Sequence, residues 1–229
     1  MEEKYIKVLG NSFLFKDMSK DEIEKMLLCL NPGINKYEKN ELVTREGDLF
    51  ESLGLLLKGK ANVIKEKASG ARVVMTMLHE GDVFGEMAAF SDINKWPATV
   101  QCIEKCTVMF IPKINIIGEC EKMCPWHRRL ITNFVKIVSV KALMLSNKVE
   151  YLTIKSMRGK ISAFLFDEYK RNNSFSFTIH LNRNEMADFL NVSRPSMSRE
   201  LIKMKEEGII DFHLSSFKIK DLDKLKNQG

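Results

Sequence analysis

Apolar residues recur along this chain with two different periods. Between residues 53 and 111 they come in short runs, at 53–57, 73–78, 98–103 and 108–111, and glycines fall at Gly47, Gly59, Gly70 and Gly81. Runs of that length, reversed at Gly47-Asp48, Ser69-Gly70 and Gly81-Asp82, predict antiparallel strands. Residues 21–30 read as a short helix before them. From Trp126 to Arg158 there is neither glycine nor proline, and Pro125 stands where a helix begins without losing a hydrogen bond. One helix of about 45 Å is expected. Along it Ile131, Val135, Val138, Ala142, Leu145, Val149 and Leu152 alternate four and three apart, while Leu130, Phe134, Ile137 and Met144 form a second stripe. A helix packed on one core needs one stripe. The second predicts a parallel two-stranded coiled coil with another subunit, the competing reading being a broadly buried helix in a monomer.

Residues 182–201 carry a different grammar. Asn182 and Glu185 have capping-box spacing, Asn191 tolerates the left-handed conformation of a tight turn, Ser193 caps a second helix, Pro195 falls in its first turn and Gly208 stops it. Met186, Leu190, Val192, Met197 and Leu201 supply the apolar faces, and the small Ala187 allows a close helix crossing. This is the pattern of a helix-turn-helix DNA reader. A helical hairpin in a core would need the same apolar spacing but not the polar set Arg194, Ser196, Ser198, Arg199 and Lys203 on the opposite side. Arginine grips guanine O6 and N7 with two bonds, and serines reach phosphates or base edges. Arg183 and Ser193 complete the candidate DNA contacts. Residues 209–219 read as two short strands around a turn, a wing beside the helices.

Charge follows the same division. Residues 1–126 carry 17 Lys and Arg against 19 Asp and Glu, and residues 127–229 carry 19 against 11, so the halves are −2 and +8. The excess suits a phosphate-facing surface, although a solvated basic face would look the same. At 229 residues two cores are expected. Uninterrupted apolar stretches fall far short of about 18 residues, so no membrane partner is expected, and Met1-Glu2-Glu3-Lys4 lacks the order of a secretory signal, which predicts a cytoplasmic protein.

Five cysteines without an export signal predict reduced thiols. Cys102 with Cys106, and Cys120 with Cys124, stand out. Helical spacing would put Cys120, Cys124 and His127 on one face and invite zinc or haem, but Pro125 breaks such a helix, so structural thiols and no metal are expected. His79, His180 and His213 have no partner at metal spacing. No nucleophile with base and orienter, P-loop or dinucleotide fingerprint appears, and the chain is not expected to be an enzyme.

Residues 82–90, ending a strand at Gly85 and opening a helix with Glu86 and small residues, have the form of an anion cradle. Phe84-Gly85-Glu86 followed by Pro97-Ala98-Thr99-Val100 resembles the phosphate-binding cassette of cyclic-nucleotide-binding β-rolls. With residues 194–201, the roll-opening residues 13–16 and 45–48, and Leu57-Lys58-Gly59-Lys60, nearly the whole chain resembles the Crp/Fnr family of bacterial transcription regulators. Cys124-Pro125-Trp126-His127 is most similar to its clostridial-type members. The resemblance implies an α+β fold: residues 1–124 an antiparallel, jelly-roll-like β-roll sensor, 125–152 a dimerisation helix, and 153–229 a winged helix-turn-helix. It implies a homodimer reading a palindromic operator on double-stranded DNA, under a small effector held by Phe84, Gly85, Glu86, Met87, Trp96, Pro97, Ala98 and Thr99 with Leu145 and Ser146 of the long helix. RNA polymerase is left open as a further partner.

The departures bear on the effector. Cyclic-AMP-binding members place an arginine two residues before the Ala-Thr pair, where this chain has Trp96; Ala88 replaces a cassette glycine; and a base-facing polar position falls at Leu145-Ser146. A buried anion without a cation costs on the order of several kcal/mol, so cAMP is disfavoured and the effector unknown. A cyclic-nucleotide-responsive regulator and a thiol-responsive one acting through Cys120 and Cys124 are the alternatives. A nucleotide-binding module of a channel or kinase would share the roll but lack residues 182–201. Cysteines before the roll, which the iron–sulfur members carry, are missing from residues 1–28.

Overall fold

The computed structural model describes residues 2–66, 69–70, 72–92, 95–118, 124–179 and 181–228. Cys120 and His180, singled out above, lie outside the described residues. The chain divides into two compact units, Met1–Val140 and Lys141–Gly229.

The first unit opens with α1 (Glu3–Asn11) and α2 (Lys20–Leu30), followed by β1 (Gly33–Tyr37), β2 (Leu42–Thr44), β3 (Ser52–Lys58), β4 (Ala61–Glu66), β5 (Arg72–Leu78) and β6 (Val83–Phe84). Then come α3 (Glu86–Phe90), β7 (Thr99–Cys102), β8 (Cys106–Pro112), α4 (Lys113–Ile117) and the start of α5 (Pro125–Thr153). The strands form two four-stranded sheets, ordered β1-β8-β3-β6 and β2-β7-β4-β5, with every pairing antiparallel. Gly47, Gly59, Gly70 and Gly81 all take φ between 79° and 91°, the left-handed conformation that their spacing suggested.

Strand β3 explains its own continuous apolar run, because both of its faces are covered. Leu53, Leu55 and Leu57 face a core made with Ile6 and Leu9 of α1, Ile23 and Met26 of α2, and Leu130 and Phe134 of α5, whereas Leu56 faces the layer between the sheets with Val100, Val108 and Trp96. Strand β1 escaped the sequence reading for the opposite reason. Four of its five residues are exposed, so it has no apolar alternation, and its register with β8 supplies what its composition does not.

Helix α5 carries its two stripes as two environments. Leu130 and Phe134 of the second stripe are buried and Ile137 packs on the same core, but Met144 of that stripe is exposed, as are Val135, Val138, Ala142, Leu145, Val149 and Leu152 of the first, with Ile131 half-buried. A continuous helix to Arg158 does not form. Ser156 caps a new helix by accepting from the Gly159 amide at 2.9 Å, so α5 stops at Thr153 after about 44 Å. By length and average apolarity α5 is a candidate bilayer span, which qualifies the expectation drawn from uninterrupted runs. Lys136, Lys141 and Lys148 interrupt it, and Leu130, Phe134 and Ile137 are committed to the core of the first unit.

The second unit continues with α6 (Met157–Asn172), β9 (Ser176–Thr178), α7 (Arg183–Leu190), α8 (Arg194–Glu206), β10 (Ile210–His213), β11 (Ser216–Ile219) and α9 (Leu222–Lys226). Its core joins Tyr151, Ile161 and Leu165 to Met186, Leu190, Met197, Leu201 and Met204, with Ile210, Phe217 and Ile219 from the wing. The wing has a third strand, absent from the sequence reading: the order is β10-β11-β9, antiparallel throughout.

Candidate nucleic-acid interface and effector cassette

The helix-turn-helix is assembled by short-range hydrogen bonds. Asn182 Oδ1 accepts from the amides of Asn184 (2.9 Å) and Glu185 (3.1 Å), and Glu185 Oε2 accepts from the Asn182 amide (2.7 Å). Asn191 ends α7 at φ 52°, and the Val192 amide returns to Ala187 O at 2.9 Å. Ser193 then caps α8 by accepting from the Ser196 amide at 3.3 Å.

Beyond the cap, the Ser193 hydroxyl donates to Ser196 Oγ at 2.8 Å and Arg199 Nη2 donates to the same oxygen at 3.2 Å. The two serines therefore hold the Arg199 fork against the first turn of α8. Arg194, Arg199 and Lys203 are exposed, Ser196 and Ser198 are half-buried, and Met197, Leu201 and Met204 turn the other face into the core. One side of a capped helix thus presents two guanidiniums, an ammonium and hydroxyls, the donor set that reads guanine edges and phosphates. Arg183 is spent differently. Its Nη2 donates to Leu214 O at 2.7 Å at the wing turn, its guanidinium lies 4.7 Å and 5.0 Å from the ring centroids of Phe217 and Phe212, and burial lowers its pKa. Grouped by sequence with the DNA contacts, Arg183 fastens the start of α7 to the wing.

Sequence reading missed Arg158. It donates from Nη1 and Nη2 to the two carboxylate oxygens of Glu207, both at 2.7 Å, and from Nε to Glu200 Oε1. These bonds raise the Arg158 pKa and tie the start of α6 to α8. No local signal marks a partner 42 or 49 residues away.

The cassette residues of the first unit also come together, around an aromatic cluster. Gly85 caps α3 at φ 87°, and a Cβ added there would lie 2.4 Å from a ring carbon of Phe50 and 3.2 Å from one of Trp96. Those rings stack with centroids 4.7 Å apart and planes 3° apart, and Phe84 and Phe110 complete the cluster. Trp96 is 6% exposed, and its backbone is fixed by Gly47 N to Trp96 O and Trp96 N to Asp48 O, each 2.9 Å. Aromatic carbon of Phe50 and Trp96 therefore fills the space beside the Gly85 Cα. Glu86 and Ala98 are buried, Thr99 Oγ1 accepts from the Glu46 amide at 3.1 Å, and Met87 and Pro97 are exposed. Leu145 and Ser146 belong to the second unit and are exposed there.

Among the described residues no three or more His, Cys, Asp or Glu side chains are grouped to hold a metal ion. His127 Nε2 lies 2.8 Å from Ile116 O. Cys102 and Cys106 are buried, and burial first, then hydrogen bonding with Cys106, pushes the Cys102 thiol up to about 12. Cys29, which the sequence reading did not pair, has its sulfur 3.7 Å from that of Cys124.

A β-roll sensor and a winged helix-turn-helix in one chain define a DNA-binding transcriptional regulator with an effector-binding domain. Residues 34–122 match the cyclic nucleotide-binding domain and residues 159–228 the Crp-like helix-turn-helix domain; the chain belongs to the Crp/Fnr family of regulators. The cAMP-activated global transcriptional regulator CRP of Salmonella typhimurium is 21% identical over 184 residues, spanning 79% of this chain and 86% of that one. The c-di-GMP responsive global regulator CLP of Xanthomonas campestris has a similar structure, with a TM-score of 0.55, 19% identity, and 88% and 99% of the two chains covered. So has CooA of Carboxydothermus hydrogenoformans, with a TM-score of 0.59, 19% identity, and 99% and 96% covered.

Proposed function

We propose that this chain works in the cytoplasm as a homodimer reading a roughly palindromic operator, with Arg194, Ser196, Ser198, Arg199 and Lys203 as the reading surface and Ser193 holding the helix start in place. Residues 1–124 serve as the sensor, 125–152 as the dimerisation helix and 153–229 as the reader. The observation that carries this reading is the exposed cationic face of α8, with Arg199 held by Ser196, which Ser193 in turn hydrogen-bonds. The exposed half of the α5 apolar pattern supports the dimer, since water is a poor solvent for a row of valines and leucines spaced for a partner helix. Gel-shift or polarisation measurements on selected duplexes test the reading: affinity must fall steeply with salt and discriminate between sequences.

The effector is not cAMP. Phe50 and Trp96 cover the Gly85 turn, and a cyclic phosphate placed there would displace two stacked rings and gain no arginine. Relatives named for cAMP and for c-di-GMP support the view that effector chemistry varies across this architecture. Titration calorimetry with cAMP tests this directly, with no heat of binding expected up to millimolar nucleotide, on the order of the weakest affinities that count as binding. The Cys124-Pro125-Trp126-His127 stretch supports kinship with clostridial-type members.

A further inference from the structure

Among the described residues the cysteines fall into two pairs of opposite character. Cys102 and Cys106 are buried, and Cys106 Sγ donates to Lys60 O at 3.2 Å. Cys29 and Cys124 are half-buried, lie 95 residues apart in sequence, and bring their sulfurs to 3.7 Å. The backbones on either side are held in place. Cys29 lies in the last turn of α2, where Asn115 Nδ2 donates to Leu30 O at 2.9 Å. The Cys124 carbonyl accepts the His127 amide at 3.1 Å, so Cys124 stands at the N-terminal end of α5. Arg129, one turn further along, donates to Asp17 O at 2.7 Å and to both Glu22 oxygens at 3.4 Å, fastening this end of α5 beside α2.

We infer that Cys29 and Cys124 are a reversible disulfide site responsive to peroxides. Bond formation needs the sulfurs to close from 3.7 Å to about 2.05 Å. One thiolate attacks the peroxide O–O bond, taking an oxygen as a sulfenic acid while the other oxygen leaves as water after protonation. The second thiolate attacks the sulfenic sulfur and expels hydroxide, which is protonated to a second water. Two thiols are oxidised by two electrons and one peroxide is reduced to two waters. The bond ties α2 to the start of the helix that carries the exposed apolar seam, so the site couples oxidant exposure to the part of the sensor from which α5 departs. The cross-link is read without DNA, so its failure is separate from failure of the regulator reading.

The test uses the full chain, treated with near-stoichiometric hydrogen peroxide, quenched with N-ethylmaleimide and mapped by non-reducing peptide mass spectrometry. The expected result is three labels in place of the five carried by the reduced chain, one intrachain peptide joining Cys29 to Cys124, and restoration of five labels by dithiothreitol. Cys29→Ser and Cys124→Ser each remove that peptide, and Cys102→Ser leaves it intact. Five labels after oxidation, a peptide joining Cys124 to Cys120, or a bond between chains overturns the assignment.

Discussion

Trp96 stands where a cAMP-binding relative would carry its phosphate-neutralising arginine, and its burial between Phe50 and Phe84 turns that substitution into packing. Truncation to Trp96→Ala removes a large buried ring and is expected to cost about 3–5 kcal/mol, read as a lowered denaturation midpoint of the first unit. Trp96→Arg is expected to leave cAMP unbound in calorimetry, because Phe50 still covers Gly85. Restored cAMP binding in that single variant would show that the missing cation, and not the ring over the turn, excludes the nucleotide. On α8, Arg194→Ala and Arg199→Ala are each expected to weaken specific duplex binding by about 1–3 kcal/mol while largely sparing random duplex, since a base contact is lost and the phosphate contacts remain. Equal loss on both duplexes would assign these arginines to phosphates. The missing arginine at position 96 was legible in the sequence. The stack that fills its place was not, because Phe50 lies 46 residues earlier and nothing in its neighbourhood announces a partner.

The elements most faithfully anticipated are those whose ends are decided locally. The Asn182–Glu185 box, the left-handed Asn191 and the Ser193 cap each involve residues within three or four positions, and all three form as their spacing required. Strand β1 was missed because it is mostly exposed, and α5 ends at Thr153, five residues before the glycine- and proline-free run ends at Arg158, because Ser156 looks like any serine until its side chain caps α6. What positions α8 within its unit is non-local. Arg158→Ala leaves Glu200, 18% exposed at its side chain, without its guanidinium partner, and is expected to destabilise the second unit by about 1–3 kcal/mol in urea denaturation. Arg158→Lys is expected to recover only part of this, since an ammonium cannot match the two-oxygen grip on Glu207. Full recovery by lysine would reduce the contact to simple charge pairing.

At the scale of the whole molecule, the two periods seen in the sequence resolve into two compact units, and one long helix contributes residues to each. The buried stripe of α5 was legible as apolar spacing. That the other stripe stays exposed could be known only once the rolls and helices were built around it. Leu145→Asp puts a charge into that exposed row and is expected to convert the dimer to monomers in light scattering. A variant that remains dimeric places the subunit contact elsewhere. In the proposed dimer, two reading heads related by a two-fold axis would fix the shape of the target, with each α8 placed in a major groove and the grooves on one side of B-DNA recurring about every 34 Å. The most direct test of the account is therefore selection of duplexes bound by the intact protein from a randomised pool. It predicts an inverted repeat with half-sites about 10 base pairs apart, centre to centre, lost together in Arg199→Ala. Enrichment of no sequence, or of a single asymmetric half-site bound equally well by that variant, would contradict it.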